Sequence, residues 1–289
     1  MAALAWRVAM LCTNAMAEFV TRFAPSPTGL LHLGHAFSAL TAFDAARAAG
    51  GRFILRIEDL DAGRCRPEFE AAIFDDLAWL GVTWETPVRR QSEHMTDYAR
   101  VLDDLVERDL VYRDFRTRRE LLAEIPHAPH GPTDAVRGGP ASDETERLAA
   151  GRPFAWRLWL DRALETIDGV PEFEADGASI KAEPERLGDA ILARKEFPTS
   201  YHVASVHDDA LQGVTDVIRG EDLREAAHLH VLLQKLMGWP TPAYRHHRLV
   251  LGADGKRLAK RDQSATLSAL RESGATPAIV RARLGLAQR

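Results

Sequence analysis

Residues 22–35 read Arg22-Phe-Ala-Pro-Ser-Pro-Thr-Gly-Leu-Leu-His-Leu-Gly-His35 and join a predicted strand to a predicted helix. The strand is the short apolar run at 19–24, and the prolines and glycine after it predict a turn. Apolar residues then recur at helical spacing over 33–43, until a pair of glycines stops the helix. A second apolar strand at 53–57 completes a unit of about forty residues, the size of one β-α-β crossover. The sequence therefore predicts the start of a parallel sheet.

Two histidines lie three residues apart where this helix begins. His32 and His35 share one face at that spacing, so both rings can face a phosphate group at the helix start. Gly34 between them leaves room for an adenine ring and ribose to lie against the backbone. A bare His-x-Gly-His also occurs by chance, but the prolines and glycine upstream make this occurrence more specific. The motif indicates nucleotide binding.

Further along the chain, regular patterns surround a less regular middle segment. Two amphipathic helices are predicted at about 69–81 and 95–105. From about 112 to 198, glycines and prolines cluster and the apolar runs are short, which is typical of an inserted α+β subdomain. The regular elements predicted after it are 201–206, 214–218 and a helix at 223–237 that Gly238 stops. The fold class predicted is α/β, with a parallel sheet split by the insertion.

Composition and charge narrow the class of protein. Hydrophobic residues make up 46% and charged residues 27% of the 289, which excludes a disordered or fibrous chain. The net charge is −5, yet Arg245–Arg289 holds ten Lys/Arg against three Asp/Glu, which leaves −12 for the rest. This distribution excludes a globally basic coat protein and favours a local contact with a polyanion. With only Cys12 and Cys65 and no bilayer-spanning run, we expect a cytoplasmic protein with no membrane partner.

A second motif lies near the C-terminus, in the glycine-led basic loop Gly255-Lys-Arg-Leu-Ala-Lys-Arg261. Mobile lysines on such a loop suit a pyrophosphate leaving group, whose charge grows in the transition state. On its own, a solvated basic loop is the simpler explanation. About 220 residues separate it from His35, which suits two loops that meet at the carboxyl ends of a parallel sheet.

Together these two stretches resemble the HIGH and KMSKS signatures of class I aminoacyl-tRNA synthetases. The closer similarity is to the glutamyl branch. The blocks that resemble it, in the family's order, are 22–35, Arg56-Ile-Glu-Asp-Leu-Asp61, Tyr201 and Val217-Ile-Arg-Gly-Glu-Asp-Leu223. The resemblance spans roughly residues 18–265 and implies a Rossmann-type catalytic domain.

The resemblance and the patterns together divide the chain into five segments. A leader at 1–17 contains Arg7 and lacks a long apolar run, so we expect it to be disordered or to precede a true start at Met16. The other predicted segments are the first half of the catalytic domain at 18–111, an acceptor-binding-like insertion at 112–197, the second half at 198–245, and the KMSKS-like loop with a basic helical segment at 246–289.

Only 28 residues follow Arg261, too few for the anticodon-binding domain that follows this loop in discriminating glutamyl-tRNA synthetases. We therefore expect a free-standing catalytic half, which is the layout of the glutamyl-queuosine tRNA(Asp) synthetases. That family activates L-glutamate with ATP and transfers it to the queuosine base in the anticodon of tRNA(Asp). The resemblance thus implies L-glutamate, ATP with Mg²⁺, and queuosine-containing tRNA(Asp) as partners, and we expect a monomer.

The resemblance also implies residue roles. The guanidinium groups of Arg22 and Arg219 suit bidentate binding of the carboxylates of glutamate, and the residues leave open which arginine takes which carboxylate. Glu58 would receive the ammonium group. Lys260 would act at the α-phosphorus and the departing pyrophosphate, and the catalytic residues are predicted to be His32, His35 and Lys260. The predicted glutamate site is Arg22, Phe23, Ala24, Pro25, Ser26, Glu58, Tyr201 and Arg219, and the predicted ATP site is His32, Gly34, His35 and Lys260.

The predicted insertion departs from the family pattern at its metal site. Many members bind zinc there through a Cys-x-Cys pair, a tyrosine and a further cysteine. Asp114 and Arg116 stand at the positions of that pair, and because arginine cannot ligate zinc, we predict that structural zinc is absent. The remaining histidine pairs, which lack a complete ligand set, are His127 with His130 and His246 with His247.

Three alternatives remain open. The chain could charge the 3′ end of tRNA(Glu) or tRNA(Gln) as a standalone enzyme. It could be a non-catalytic tRNA-binding paralogue, although such a protein would be expected to lose His32, Glu58 or Lys260, and all three are present. A different HIGH-bearing nucleotidyltransferase is the third, although two arginines and Glu58 fit an amino-acid substrate better. No residue pattern encodes queuosine recognition, so the RNA and its acceptor group stay open.

Overall fold

The computed structural model describes residues 18–117, 119–121, 136–194, 198–251 and 266–287. The strands are β1 Val20–Phe23, β2 Arg52–Ile57, β3 Arg89–Arg90, β4 Val111–Asp114, β5 Ala155–Leu158, β6 Glu172–Ala175, β7 Ala178–Lys181, β8 Ile191–Arg194, β9 Asp216–Gly220 and β10 Ala243–His247. The α-helices are α1 Leu33–Ala48, α2 Pro67–Trp79, α3 Met95–Glu107, α4 Glu144–Ala149, α5 Leu160–Glu165, α6 Tyr201–Leu211, α7 Ala226–Met237, α8 Leu267–Glu272 and α9 Pro277–Leu284. Over these ranges, no helix is both long and apolar enough to cross a membrane.

Some of the features predicted from the sequence lie on residues that the structure does not describe. The leader at 1–17, the basic loop at 255–261 and the pair His127 and His130 lie outside the described residues. In the ranges that are described, no group of three or more His, Cys, Asp or Glu side chains is placed to hold a metal ion. The absence of structural zinc stays a prediction.

The predicted β-α-β unit forms the first part of the sheet. β1 pairs in parallel with β2, with Val20 opposite Arg52, and β2 pairs in parallel with β3. α1 covers these strands with a buried apolar face that includes Leu40 and Phe43, each contributing about 2 kcal/mol by burial. A glycine is required at position 51, because a Cβ there would lie 2.1 Å from a backbone oxygen of the first strand's lead-in.

The second half of the chain continues this parallel arrangement. β9 and β10 pair in parallel, and the amide of Thr215 just before β9 donates to the carbonyl of Val20 at 2.9 Å, which places β9 beside β1. β6 pairs in parallel with β10, and β7 pairs antiparallel with β6. These two strands lie within the predicted insertion, 112–197, but they join the sheet of the second half. The predicted segment boundaries stay predictions.

A separate antiparallel sheet, in the order β4-β5-β8, lies in the middle segment. Asp114, at the end of β4, accepts hydrogen bonds from Nε of Arg116 at 2.8 Å and from Nε of Arg157 at 2.5 Å. Burial alone would raise the pKa of Asp114, but these bonds outweigh it and lower the pKa below its usual value. An ion-pair cluster thus occupies the positions where the resemblance placed the zinc ligands.

The helix predicted from Leu223 begins instead at Ala226. A 3-10 turn at Glu221–Leu223 precedes it, and the side chain of Arg224 is held there by Glu221 at 2.5 Å. The predicted stop at Gly238 is present, because Gly238 adopts the left-handed conformation with φ of 66°.

The last two helices contact the region of the first helix. α9 meets α1 through Arg281, whose two terminal nitrogens donate to the carboxylate of Asp44 at 2.8 and 3.0 Å. Leu267, the first residue of α8, donates its amide to the carbonyl of Leu31 at 2.8 Å. The C-terminal helices are therefore part of the core that carries the first motif.

Candidate active site

A cleft of about 610 Å³ opens at the carboxyl ends of β1, β2 and β9, the edge of an open α/β sheet where ligands bind. Eleven of the twelve predicted site residues line it. They are Arg22, Phe23, Ala24, Pro25, Ser26, His32, Gly34, His35, Glu58, Tyr201 and Arg219. The structure therefore brings the predicted glutamate set and most of the predicted ATP set to one place.

The twelfth residue, Lys260, lies outside the described residues. The described residues on both sides of its segment meet the cleft. Val250 lines the cleft, and Thr266 forms a β-bridge with His32. The role of Lys260 stays a prediction.

His32 and His35 cap the start of α1 through each other. The amide of Gly34 donates to Nδ1 of His32 at 3.1 Å, and the amide of His32 donates to Nδ1 of His35 at 3.2 Å. Because each Nδ1 accepts a bond, each neutral ring carries its proton on Nε2. A Cβ at position 34 would lie 2.9 Å from Cε1 of His32, so the glycine of the motif permits this packing. The arrangement suits an anion, since Nε2 donors are added to a helix N-terminus.

Arg22 is held by a carboxylate that the sequence did not reveal. Its Nε and Nη2 donate to Asp209 on α6 at 3.0 and 3.2 Å. Asp209 also accepts from Nη1 of Arg56 at 2.8 Å, and Nη2 of Arg56 donates to Glu58 at 3.3 Å. Burial alone would raise the pKa of Asp209, but the two arginines outweigh it and lower the pKa. We call these four residues the paired chain, because their charges alternate in sign along it.

Glu58 is the member of the paired chain that presents a carboxylate to the cleft. Burial raises the pKa of Glu58, and the charges of Arg56 and Arg22 offset part of that rise. A cationic group bound in the cleft would stabilise the ionised form further. Glu58 is therefore suited to receive an ammonium group.

Arg219 on β9 is as buried as Arg22 but contacts different partners. Its Nη1 lies 3.4 Å from the hydroxyl of Tyr201 and 3.2 Å from Nδ1 of His230, and its Nε donates to Nε2 of His246 at 3.3 Å. The guanidinium carbon lies 5.1 Å from the centre of the Tyr244 ring. Nη2 is buried without a hydrogen-bond partner, and within the described ranges Arg219 forms no ion pair with a carboxylate. Nη2 of Arg219 is therefore available to donate a hydrogen bond to a ligand.

The histidines around Arg219 are neutral at physiological pH. Burial, with the charge of Arg219 adding to it, lowers the pKa of His202 and of His246 to about 4. The same causes lower the pKa of His230 well below its usual value. The charge of Arg219 is therefore not offset by the side chains it contacts, and a desolvated guanidinium in that state favours a carboxylate ligand.

Sequence reasoning missed Asp209 and its neighbour Asp208. Asp208 is fully buried and accepts hydrogen bonds from Arg89, Gln91 and Tyr98. Both aspartates follow buried residues of α6, Ala204 and Ser205, by four positions. Charged residues at the spacing of a buried helix face were the signal that could have identified them. His230 follows the buried Ala226 of α7 by four positions, but this signal was weaker, because a neutral histidine on an apolar helix face is common in protein cores.

The sequence matches, over residues 18–287, the family described as tRNA synthetases class I (E and Q), catalytic domain. It is 48% identical over 283 residues to the glutamyl-Q tRNA(Asp) synthetase of Rhodobacter capsulatus, which covers 92% of this chain and 100% of that protein. It is 36% identical to the glutamate–tRNA ligase of Coprothermobacter proteolyticus, over 92% of this chain and 58% of that one. The crystal structure of glutamate-tRNA synthetase from Elizabethkingia anophelis is similar with a TM-score of 0.69 and 32% identity, over 85% of this chain and 53% of that one. The resemblance predicted from the motifs is confirmed.

Proposed function

The chain belongs to the class I tRNA synthetases (E and Q), catalytic domain, and on that basis we propose that it activates L-glutamate with ATP and transfers the glutamyl group to the queuosine base in the anticodon of tRNA(Asp). It is a ligase with the class I synthetase fold, like the proteins it resembles. The single observation that carries the glutamate assignment is the unpaired Nη2 of Arg219 in the same cleft as Glu58. A cytoplasmic, monomeric protein stays a prediction.

Glutamate is proposed to bind between the two cleft charges. Glu58 receives its ammonium group, and Arg219 receives the side-chain carboxylate. The other carboxylate must attack phosphorus, so a strong bidentate hold on it would lower its reactivity, whereas the unreactive carboxylate gains from one. Arg22 already uses two of its three nitrogens on Asp209, which leaves Nη1 as the one nitrogen outside that ion pair. Tyr201 and the 23–26 turn line the remaining wall.

Activation requires an oxygen of the substrate carboxylate to bond to the α-phosphorus of ATP while the bond from that phosphorus to the pyrophosphate oxygen breaks. No protein nucleophile is required. His32 and His35 are proposed to donate from Nε2 to the phosphates, with Gly34 allowing the nucleoside to lie against the backbone, and Lys260 to stabilise the charge that grows on pyrophosphate. Catalysis would come from positioning and charge stabilisation.

Magnesium is proposed to arrive with ATP. In the part of the chain that the structure describes, no group of three or more His, Cys, Asp or Glu side chains is placed to hold a metal ion. When bound, Mg²⁺ offsets part of the triphosphate charge.

Transfer to queuosine is supported by similarity to relatives named as glutamyl-Q tRNA(Asp) synthetases, including one at 48% and one at 41% identity. The alternative, charging of a tRNA 3′ end, has weaker support, since a relative named as a glutamate–tRNA ligase is 36% identical. The two reactions differ in the RNA group that accepts glutamate, so identifying the labelled group distinguishes them.

The first experiment is glutamate-dependent ATP–pyrophosphate exchange with purified protein and no RNA. We expect robust exchange. Exchange that appears only with tRNA(Glu) would favour 3′ charging, and no exchange under either condition would leave a binding role.

The second experiment identifies the acceptor with labelled glutamate and two matched RNAs. One is queuosine-containing tRNA(Asp) from which the 3′-terminal adenosine has been removed, and the other is intact tRNA(Asp) without queuosine. The proposal requires labelling of the first and none of the second, and labelling of intact tRNA(Glu) or tRNA(Gln) in place of the first assigns the 3′ end.

A further inference from the structure

We propose that His230 and His246 are positioning residues that select for a carboxylate ligand, because they hold Arg219 by accepting its hydrogen bonds while adding no negative charge. The inference rests on the proposed function, in which Arg219 binds the side-chain carboxylate of glutamate. Neither His230 nor His246 lines the cleft, and each acts through its contact with Arg219. Because both histidines are neutral, the charge of Arg219 remains available to a ligand.

The two histidines hold the guanidinium group from different elements. His246 on β10 lies directly opposite Arg219 in the parallel register of β9 and β10, and its Nε2 accepts from Nε at 3.3 Å. His230 on α7 approaches the other end, with Nδ1 3.2 Å from Nη1. Two contacts to different ends of a planar group fix its orientation. Nη2, which has no partner, is the nitrogen left over.

The proton positions follow from the chemistry of arginine. A guanidinium group has donors only, so Nδ1 of His230 and Nε2 of His246 must both be unprotonated acceptors. His230 therefore carries its proton on Nε2, from which it donates to Nδ1 of His202 at 3.1 Å. His246 carries its proton on Nδ1, a buried atom without a partner. Protonation of either acceptor nitrogen would remove the bond and place two cations in contact.

A carboxylate at either histidine position would orient Arg219 equally well, but it would also neutralise it. Asp209 does this for Arg22. A ligand carboxylate would then have to displace the internal one or share the guanidinium with it. Neutral acceptors avoid this competition and so give the site its preference for an anionic side chain over an amide.

The test uses two nearly isosteric substitutions that differ in charge, His230→Asn and His230→Asp. The oxygen of either side chain can replace Nδ1 as acceptor, so both keep Arg219 in place. In glutamate-dependent ATP–pyrophosphate exchange, we expect His230→Asn to raise the KM for glutamate less than about threefold and His230→Asp to raise it about thirtyfold. The KM for ATP should change less than about twofold in both, and the preference for glutamate over glutamine should fall only with aspartate.

His228 provides the matched control. It lies on the same helix, is buried, and accepts through Nδ1 from the amide of Glu183 at 3.0 Å, away from Arg219. His228→Asn and His228→Asp should leave the KM for glutamate and the preference over glutamine unchanged. Thermal unfolding of all four variants separates loss of fold from loss of binding. Equal KM values for glutamate in His230→Asn and His230→Asp would overturn the inference.

A second measurement does not depend on activity. Long-range ¹H–¹⁵N spectra of the wild-type protein at pH 7 should show His230 protonated only on Nε2 and His246 only on Nδ1. An imidazolium at either position would overturn the inference even if the enzyme is active. If the wild-type protein shows no glutamate-dependent exchange, the proposed function fails, and the spectra still decide whether the two histidines are neutral acceptors.

Discussion

Two arginines line the same cleft and are buried to the same extent, 5% exposed for Arg22 and 4% for Arg219. Their surroundings are opposite. Arg22 belongs to the paired chain and donates twice to Asp209, at 3.0 and 3.2 Å. Arg219 donates to neutral histidines and keeps one nitrogen without a partner. Burial and residue type therefore do not distinguish a structural arginine from a ligand-binding one, whereas the charge of the groups it donates to does.

The difference also has an energetic side. A buried ion pair contributes little net stability, but removing one partner is costly because a charge is left alone. Arg219 is already in that unpaired state. We therefore expect the paired chain to govern stability and Arg219 to govern substrate binding, and substitutions at each place test that division.

The largest effect is expected for Arg219→Gln. The substitution removes the charge that holds the side-chain carboxylate, so kcat/KM for glutamate in ATP–pyrophosphate exchange should fall about a thousandfold, or about 4 kcal/mol. The unfolding temperature should stay the same or rise, since a buried unpaired charge is removed. Arg90→Gln is the control, because Arg90 is paired with Glu70 and neither residue lines the cleft. A variant that loses stability but keeps its kcat/KM would contradict the division.

Asp209→Asn should act in the opposite way. It leaves Arg22 and Arg56 without their shared carboxylate, so the free energy of unfolding should fall by about 3 kcal/mol at pH 7. The pKa of Asp209 is lowered in the folded protein, so its contribution is present at neutral pH and is lost as pH falls through that lowered pKa. Urea unfolding should therefore show a difference between variant and wild type that shrinks under acid conditions. Equal stability at pH 7 would show that the paired chain does not support the fold.

Lys260→Ala extends the comparison to the reaction step. If Lys260 acts on the departing pyrophosphate, kcat for exchange should fall about a hundredfold, or about 2.7 kcal/mol, with glutamate binding nearly intact. Arg219→Gln should instead affect the KM for glutamate. An unchanged exchange rate would remove Lys260 from the site.

The smallest effect is expected at a buried charge far from any substrate. Asp76 on α2 is fully buried, both of its carboxylate oxygens lack a hydrogen-bond partner among the described residues, and Nη2 of Arg271 is 3.9 Å away. Burial raises the pKa of Asp76 to about 6. A raised pKa means that stability is lost as pH rises through 6, so Asp76→Asn should add about 2 kcal/mol at pH 8 and little at pH 4. Thermal unfolding at both pH values measures this, with the exposed Asp75→Asn as control.

Local patterns predicted the parts of the fold that depend on neighbouring residues. The first β-α-β unit and the Gly238 stop are examples, because helical spacing and glycine conformation act within a few residues. The motif residues from Arg22 to His35 were likewise found as one contiguous run. Their placement in one cleft follows from the parallel sheet, whose strand ends share an edge.

Contacts between distant positions could not be read in the same way. Arg22 and Asp209 are 187 positions apart, and nothing in the pattern around either residue names the other. The pairing of β6 with β10 rests on a single register contact, Tyr244 opposite Ala175, inside a stretch rich in turn residues. The zinc-site prediction relied on residue chemistry alone, and the cluster around Asp114 depended on Arg157, which no local signal connects to it.

The contact between Asp44 and Arg281 has a consequence for how the molecule is made. The two residues are 237 positions apart, and the hydrogen bond from Leu267 to Leu31 joins positions that are similarly distant in the sequence. During translation, α1 emerges from the ribosome long before α9 has been synthesised. The first motif therefore emerges without the helices that complete its core. The cleft can form only after translation of nearly the whole described chain, and folding dominated by such distant contacts is slow. Nascent chains that stall before α9 are expected to expose the apolar face of α1 and to depend on chaperones.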